Sequence, residues 1–98
     1  MLTGKQRSYL KKLAHNIDPI LQIGKNGVTD NLLVQVRDAL EARELIKVKV
    51  LDNSYLDAKT ACQEIAEKTN SDYVQSMGSK FVLYKESRDK KTIELPNK

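Results

Sequence analysis

Four consecutive residues have the types and spacing to hold an anion: Gly24, Lys25, Asn26 and Gly27. The apolar run Ile20-Leu21-Gln22-Ile23, entered through Asp18-Pro19, precedes them; Val28, Thr29 and a helical pattern opening at Asp30 follow. A strand thus turns through two glycines into a helix N-terminus. Amides at a helix start point outward unpaired and carry the positive end of the helix dipole, which suits a phosphate. Glycine admits close approach to the backbone and tolerates positive φ. Lys25 adds a mobile cation, and Asn26 tolerates the left-handed region.

The same device, a GxxG loop clamping backbone nucleotides, serves KH-type RNA binders. Two glycines three apart are also the ordinary makings of a tight turn, so the rest of the chain must decide between grip and connector. Other chemistry is poorly served. His15 is the only histidine and Cys62 the only cysteine. Cys62 falls in an apolar helical stripe and reads as a buried structural thiol, so no Cys–His dyad and no zinc spacing are available. Glu64 and Glu67 sit among charged neighbours and read as solvated surface. The glycine turn lacks the spacing of a Walker loop or a dinucleotide fingerprint. Neither catalysis, nor a metal, nor a cofactor is expected.

Ninety-eight residues make one domain, large enough for a core without disulfide or metal support. A single cysteine fits a reducing compartment, and no signal peptide or membrane-spanning run is visible, so a soluble, cytoplasmic, monomeric protein is expected. The net charge of +4 is unevenly spread. Residues 1–28 carry five basic and one acidic side chain, residues 29–72 six and nine, and residues 73–98 six and three. A polyanion would meet positive charge at both ends of the chain and at the glycine turn.

The elements that must position the turn can be read in order. Thr3 caps a first helix, with Gln6 as the other half of a capping box. Tyr9, Leu10, Leu13, Ala14 and Ile17 share one side of it. Arg7, Lys11 and His15 run along the other, with Lys5 and Lys12 beside them. No acid lies between residues 1 and 17. Like charges at i,i+4 weaken a helix, and an anionic partner would offset them. Asp18-Pro19 ends this helix, and a first strand covers 20–23. Thr29 or Asp30 caps a second helix, buried through Leu32, Leu33, Val36, Ala39 and Leu40 and closing near Arg43-Glu44. Residues 45–51 form the clearest strand. Ile46, Val48 and Val50 point one way and Leu45, Lys47, Lys49 and Leu51 the other, which predicts a sheet with helices on one face and the other partly wet.

After Asp52-Asn53-Ser54 a third helix is predicted from about Tyr55 to Lys68, with Ala58, Ala61, Cys62, Ile65 and Ala66 as its apolar stripe. Tyr73–Met77 and Lys80–Lys85 form a hairpin about Gly78-Ser79. The fold class is α/β, in the order α-β-α-β-α-β-β: a four-stranded mixed sheet with three helices. Parallel pairs are expected from each β-α-β passage and one antiparallel strand from the hairpin. Ile46, Val48, Val50, Leu33, Val36, Leu40, Ala61, Ile65, Phe81 and Leu83 form the predicted core. Residues from about 87 to 98 form a charged C-terminal segment in which Ile93-Glu94-Leu95-Pro96 is a possible short edge. The five aromatic residues are scattered, so no base-stacking platform is predicted and phosphate contacts, shape and 2′-hydroxyl groups should dominate any RNA recognition.

In this order, Leu2-Thr3-Gly4-Lys5-Gln6-Arg7, Ile23-Gly24-Lys25-Asn26-Gly27, the run Leu40 to Val50, Gly78 with Leu83-Tyr84, and Ile93-Glu94-Leu95-Pro96 resemble the CRM domain in its stand-alone bacterial, YhbY-like form. The resemblance covers almost the whole of residues 1–98. It implies an RNA-binding domain with a fold similar to the C-terminal domain of translation initiation factor 3. It also implies ribosomal RNA or precursor large-subunit particles as partners, and a role in ribosome assembly. The RNA-binding residues it implies are Gly24, Lys25, Asn26 and Gly27, with Lys5, Arg7, Lys11 and Lys12 of the first helix beside them. Lys85 stands where the family often has arginine, so a bidentate phosphate grip is not expected there. A protein–protein adaptor on the ribosome, with a purely structural glycine turn, is the competing expectation.

Overall fold

The computed structural model describes residues 2–96. Met1, Asn97 and Lys98, and with them the end of the expected 87–98 segment, lie outside the described residues. The elements are α1 (Gly4–Ala14), β1 (Leu21–Ile23), α2 (Asp30–Arg43), β2 (Leu45–Val50), α3 (Ala58–Thr69), β3 (Asp72–Met77) and β4 (Lys80–Tyr84). The order and number of elements match the sequence reading.

Local chemistry sets the helix ends. The Thr3 hydroxyl accepts the Gln6 N–H at 3.1 Å, while Gln6 Oε1 accepts the Thr3 N–H at 3.1 Å, completing the expected capping box. Thr29 caps α2 by accepting the Leu32 N–H at 3.1 Å. α3 begins at Ala58, three residues later than predicted, because Asp57 is its cap and accepts the Thr60 N–H at 2.7 Å. Tyr55 is thereby left in the preceding loop.

The sheet order is β1-β2-β4-β3. β1 and β2 are parallel, as a β-α-β passage predicts. The second expected parallel pair does not form: β4 inserts between β2 and β3 and pairs antiparallel with both. Burial explains the order. In β4, Phe81, Val82, Leu83 and Tyr84 are all buried, so this strand needs cover on both faces. In β3 only Val74 is buried, and the strand tolerates the edge.

α2 and α3 cover one face through Leu33, Val36, Leu40, Ala61 and Ile65, which pack on Ile23, Ile46, Val48, Val50, Phe81 and Leu83. All ten predicted core residues are buried. The other face is covered more than predicted. Leu10 and Ala14 of α1 pack on Leu45, Val74, Val82 and Tyr84, with Leu13, Ile17, Ile93 and Leu95 alongside. Tyr9, predicted on the apolar side of α1, is 37% exposed.

The C-terminal segment is pinned rather than loose, though residues 93–96 form no strand. Glu44 is fully buried at φ 65° and accepts the Ile93 N–H at 2.8 Å, the Thr92 N–H at 2.7 Å and the Ser87 N–H at 2.8 Å. Glu41 accepts the Ser87 hydroxyl at 2.6 Å and the N–H groups of Arg88 and Asp89. Two carboxylates at the end of α2 therefore clasp residues 87–93.

Candidate nucleic-acid interface

The glycine turn lies where β1 ends and α2 begins. The Gly27 N–H donates to the Gly24 carbonyl at 3.1 Å, closing the four-residue turn, and leaves the Lys25 and Asn26 N–H groups without a partner among the described residues. The side chains of Lys25 and Asn26 are exposed. Gln22, Thr29, Asn31 and Gln35 join the turn around a hollow of about 210 Å³. Polar donors and one mobile cation thus surround an open concavity at a helix start, an arrangement that can receive a phosphate. A larger cavity of about 560 Å³ lies elsewhere, between Leu13, Ile17, Leu45 and Ile93, and contains no residue of the turn.

The two glycines do different jobs. Gly27 has φ +66°, and a methyl group on it would lie 3.0 Å from Tyr55 Oη and 3.3 Å from Tyr55 Cε1 and Cζ. Both backbone and space require glycine there. Gly24 has no such conformation, and a methyl group would meet only Asn53 Oδ1 at 3.7 Å and Leu51 Cδ1 at 4.0 Å, ordinary contacts. Glycine at position 24 is therefore not demanded by the fold.

The loop at 51–57 supports the turn from the side. The Leu51 N–H donates to the Ile23 carbonyl at 2.8 Å, the Ser54 N–H to the Leu51 carbonyl at 3.0 Å and the Leu56 N–H to Ser54 Oγ at 3.2 Å. These bonds hold Tyr55 against Gly27. The sequence reading missed Tyr55 by placing it in the third helix; Asp57, a strong N-cap residue three positions before Thr60, was the signal for a later start.

The basic helix is not beside the turn. Leu13 of α1 and Ile17 just beyond it line one cavity with Leu45, Ile46 and Lys47 at the start of β2, whereas Gly24 lies near Leu51 just past its end. Six strand residues at about 3.3 Å each, roughly 20 Å, separate the two places. α1 also lies on the face opposite α2. Lys5 and Lys12 are exposed, while Lys11 is half-buried. Arg7 is half-buried as well, and its Nε donates to the Tyr73 carbonyl at 3.3 Å, beside the bulge between Tyr73 and Gln75. Arg7 thus holds α1 on β3 and is only partly free for a partner.

What lies between helix and turn is a second cationic feature. Strand register aligns Gln22, Lys49, Lys80 and Met77 in one row, on the side of the sheet that α1 covers, with Lys47 one step nearer to α1. Gln6 reaches the Pro96 carbonyl and Leu13 lines a cavity with Ile93, so Arg7 and Lys11 lie on the opposite flank of α1, where Arg7 meets Tyr73 of β3. Lys49 and Lys80 stand directly opposite each other, which is unfavourable for like charges. None of Lys47, Lys49 and Lys80 has a carboxylate partner among the described residues, whose ion pairs are Lys68–Glu64 and Lys91–Glu86. Gln22 belongs both to this row and to the hollow at the turn.

The remaining candidates are structural. Cys62 is buried, with its thiol pushed up to about 12 by burial, and its Sγ lies 3.9 Å from the Val82 carbonyl. Lys85 Nζ donates to the Thr69 carbonyl at 3.2 Å, at the end of α3. Glu64 pairs with Lys68 at 2.9 Å on an exposed helix face. Among the described residues no group of three or more potential metal ligands assembles, and no helix is long and apolar enough to cross a membrane.

The Bacillus subtilis protein named "Probable RNA-binding protein YqeI" is 50% identical over 96 residues, covering 98% of this chain and 100% of its own. A Haemophilus influenzae protein named "RNA-binding protein" is 38% identical over 97 residues, covering 99% and 97%. The solution structure of a Staphylococcus aureus protein superposes with a TM-score of 0.82 at 55% identity, covering 98% of this chain and all of that one. The CRS1 / YhbY (CRM) domain family matches residues 2–85, and the chain belongs to it.

Proposed function

We propose that this protein binds RNA without catalysing a reaction on it, and that it serves assembly of the large ribosomal subunit by engaging precursor ribosomal RNA. The observation that carries the reading is the open turn at the start of α2. Lys25 and Asn26, whose N–H groups have no partner among the described residues, line a polar hollow, and Gly24 adds no side chain there although the fold does not need glycine at that position. Relatives named as RNA-binding proteins over essentially full length support RNA as the partner. The ribosomal part rests on the resemblance to the stand-alone bacterial CRM proteins; action as a cytoplasmic monomer is part of the same proposal and rests on the sequence reading, in which a single cysteine fits a reducing compartment.

In this reading the turn and the basic residues of α1 are two anion contacts on opposite ends of the sheet, joined by the lysine row. Such a footprint suits a folded or extended RNA segment rather than a single phosphate. Phosphate contacts fix the position of the protein and read little sequence.

The test is crosslinking in cells followed by mapping of crosslinked nucleotides, with the parent and Gly24→Asp. Crosslinks confined to large-subunit precursor RNA and lost in the variant are expected. Retention of ribosome association in Gly24→Asp, with loss on substituting the acidic residues of 29–72, would replace this reading by a protein adaptor with a structural turn.

A further inference from the structure

Tyr55 is 79% exposed, against 54% for Met77 and 50% for Val34, the next most exposed large apolar side chains. It is not a stray surface aromatic. Its Oη, Cε1 and Cζ lie 3.0–3.3 Å from where a methyl group on Gly27 would stand, and Gly27 itself lines the hollow at the turn. Its loop is tied by hydrogen bonds to the end of β1 and to itself, so the ring is presented rather than left to swing freely. Among the described residues its hydroxyl forms no hydrogen bond that would account for the position. Most of the ring surface faces solvent beside the glycine turn.

We propose that Tyr55 is a stacking platform for an unpaired nucleobase whose own or adjacent phosphate occupies the Gly24–Gly27 turn. The inference rests on the RNA-binding reading above and deepens it, because it specifies single-stranded RNA at this end of the protein. A paired base has both faces covered by its neighbours, whereas an unpaired one can leave the stack and lie on an aromatic ring. The ring offers a π-face to any base, so the contact adds affinity while reading little sequence. Tyrosine also serves this position well because a rigid side chain loses little freedom on binding. The absence of clustered aromatics elsewhere is consistent with one stacked base, not a run of them.

The experiment compares the parent with Tyr55→Phe, Tyr55→Leu and Tyr55→Ala, and with Gly24→Asp. Each binds a mixed-sequence single-stranded RNA and the same RNA annealed to its complement, at several salt concentrations. Tyr55→Phe should stay within about twofold of the parent, since the π-face remains. Tyr55→Leu and Tyr55→Ala should lose on the order of 5- to 150-fold on the single strand, the range for one stacked base. They should lose little on the duplex and leave the salt slope unchanged, because no charge is removed. In the unaltered protein, the Tyr55 ring proton resonances should move upfield when the single strand is added.

Parent affinity in Tyr55→Leu, or a stationary Tyr55 ring resonance in the RNA-bound parent, would reduce Tyr55 to a cover for Gly27 and overturn the inference. If Gly24→Asp weakens binding while the Tyr55 variants do not, the turn reading stands and only stacking falls. If the parent binds neither RNA, the RNA reading and the stacking inference fall together.

Discussion

Glu44 Oε1 accepts the Ile93 N–H at 2.8 Å across 49 positions of sequence, inside a residue with no solvent exposure. The same carboxylate holds Thr92 and Ser87, so one buried charge fastens the C-terminal segment to the end of α2. That fastening carries Ile93 and Leu95 onto the sheet face that α1 covers. A left-handed φ of 65° would ordinarily favour glycine, and glutamate stands there because its oxygens satisfy several buried donors.

Glu44→Ala should therefore destabilise the fold by on the order of 3 kcal/mol, from buried N–H groups left unpaired. Glu44→Gly should also destabilise, despite relief of the backbone conformation, which is a contribution of about 1 kcal/mol. Denaturant melts of both variants provide the check. A Glu44→Gly protein more stable than the parent would show the clasp to be dispensable.

The same site predicts acid sensitivity. Burial pushes the Glu44 carboxyl up, but N–H donation from Ile93, Ser87 and Thr92 outweighs it and holds the carboxyl below its ordinary 4.5. Donation from the Ser87 hydroxyl and the Arg88 and Asp89 N–H groups likewise lowers Glu41. Because the folded values are depressed, the unfolded chain binds more protons between the two. Stability from these groups is thus complete above the unfolded value and declines as pH falls through and below 4.5. Melting temperatures from pH 7 to pH 3 should fall less steeply in Glu44→Gln than in the parent, starting from a lower value.

The two glycines should respond differently to alanine. Gly24→Ala should melt near the parent, within about 0.5 kcal/mol, since nothing crowds the new methyl group. Gly27→Ala should lose about 1–2 kcal/mol from positive φ and the approach to Tyr55. Position 24 is accordingly the clean probe of RNA binding: Gly24→Asp should weaken affinity by repelling a phosphate in a protein that still melts cooperatively. Unchanged affinity there would make the turn a connector.

Salt titrations separate the two cationic regions. Arg7 is a poor probe because it also bonds to Tyr73, so Lys5, Lys11 and Lys12 are replaced together by glutamine. On single-stranded RNA, three lost phosphate contacts at about 0.7 each should lower the slope of log affinity against log salt by about 2. Replacing Lys47, Lys49 and Lys80 should lower it by at least one contact, about 0.7, if the RNA crosses the lysine row. Slopes equal to the parent's in both variants, each folded, would confine binding to the turn.

Cys62 gives a simple control on the core. With its thiol pushed up to about 12 by burial, it should resist alkylation at pH 8 in the native protein and react promptly in denaturant. Ready native labelling would mean that α3 opens from the sheet.

The sequence by itself determined what depends on neighbours a few positions apart. The Thr3–Gln6 capping box, the alternation of residues 45–50, the burial of Cys62 and the glycine turn before Asp30 are all set by periodicity or by hydrogen bonds that close within one helical turn. Tertiary structure decided what depends on competition between distant segments. β4 took the centre of the sheet from β3 because four adjacent residues, Phe81 to Tyr84, are all buried there and need cover on both faces. α1 packed on the face of the sheet away from α2, and so apart from the turn at which α2 begins. Glu41 and Glu44 find their partners only because residues 87–93 fold back to donate to them, more than 40 positions away in sequence. Tyr55 came to lie against Gly27 only through a loop anchored on Ile23, since the two residues are 28 positions apart in sequence and meet in space. No local pattern encodes such meetings, because each is fixed by the packing of whole elements.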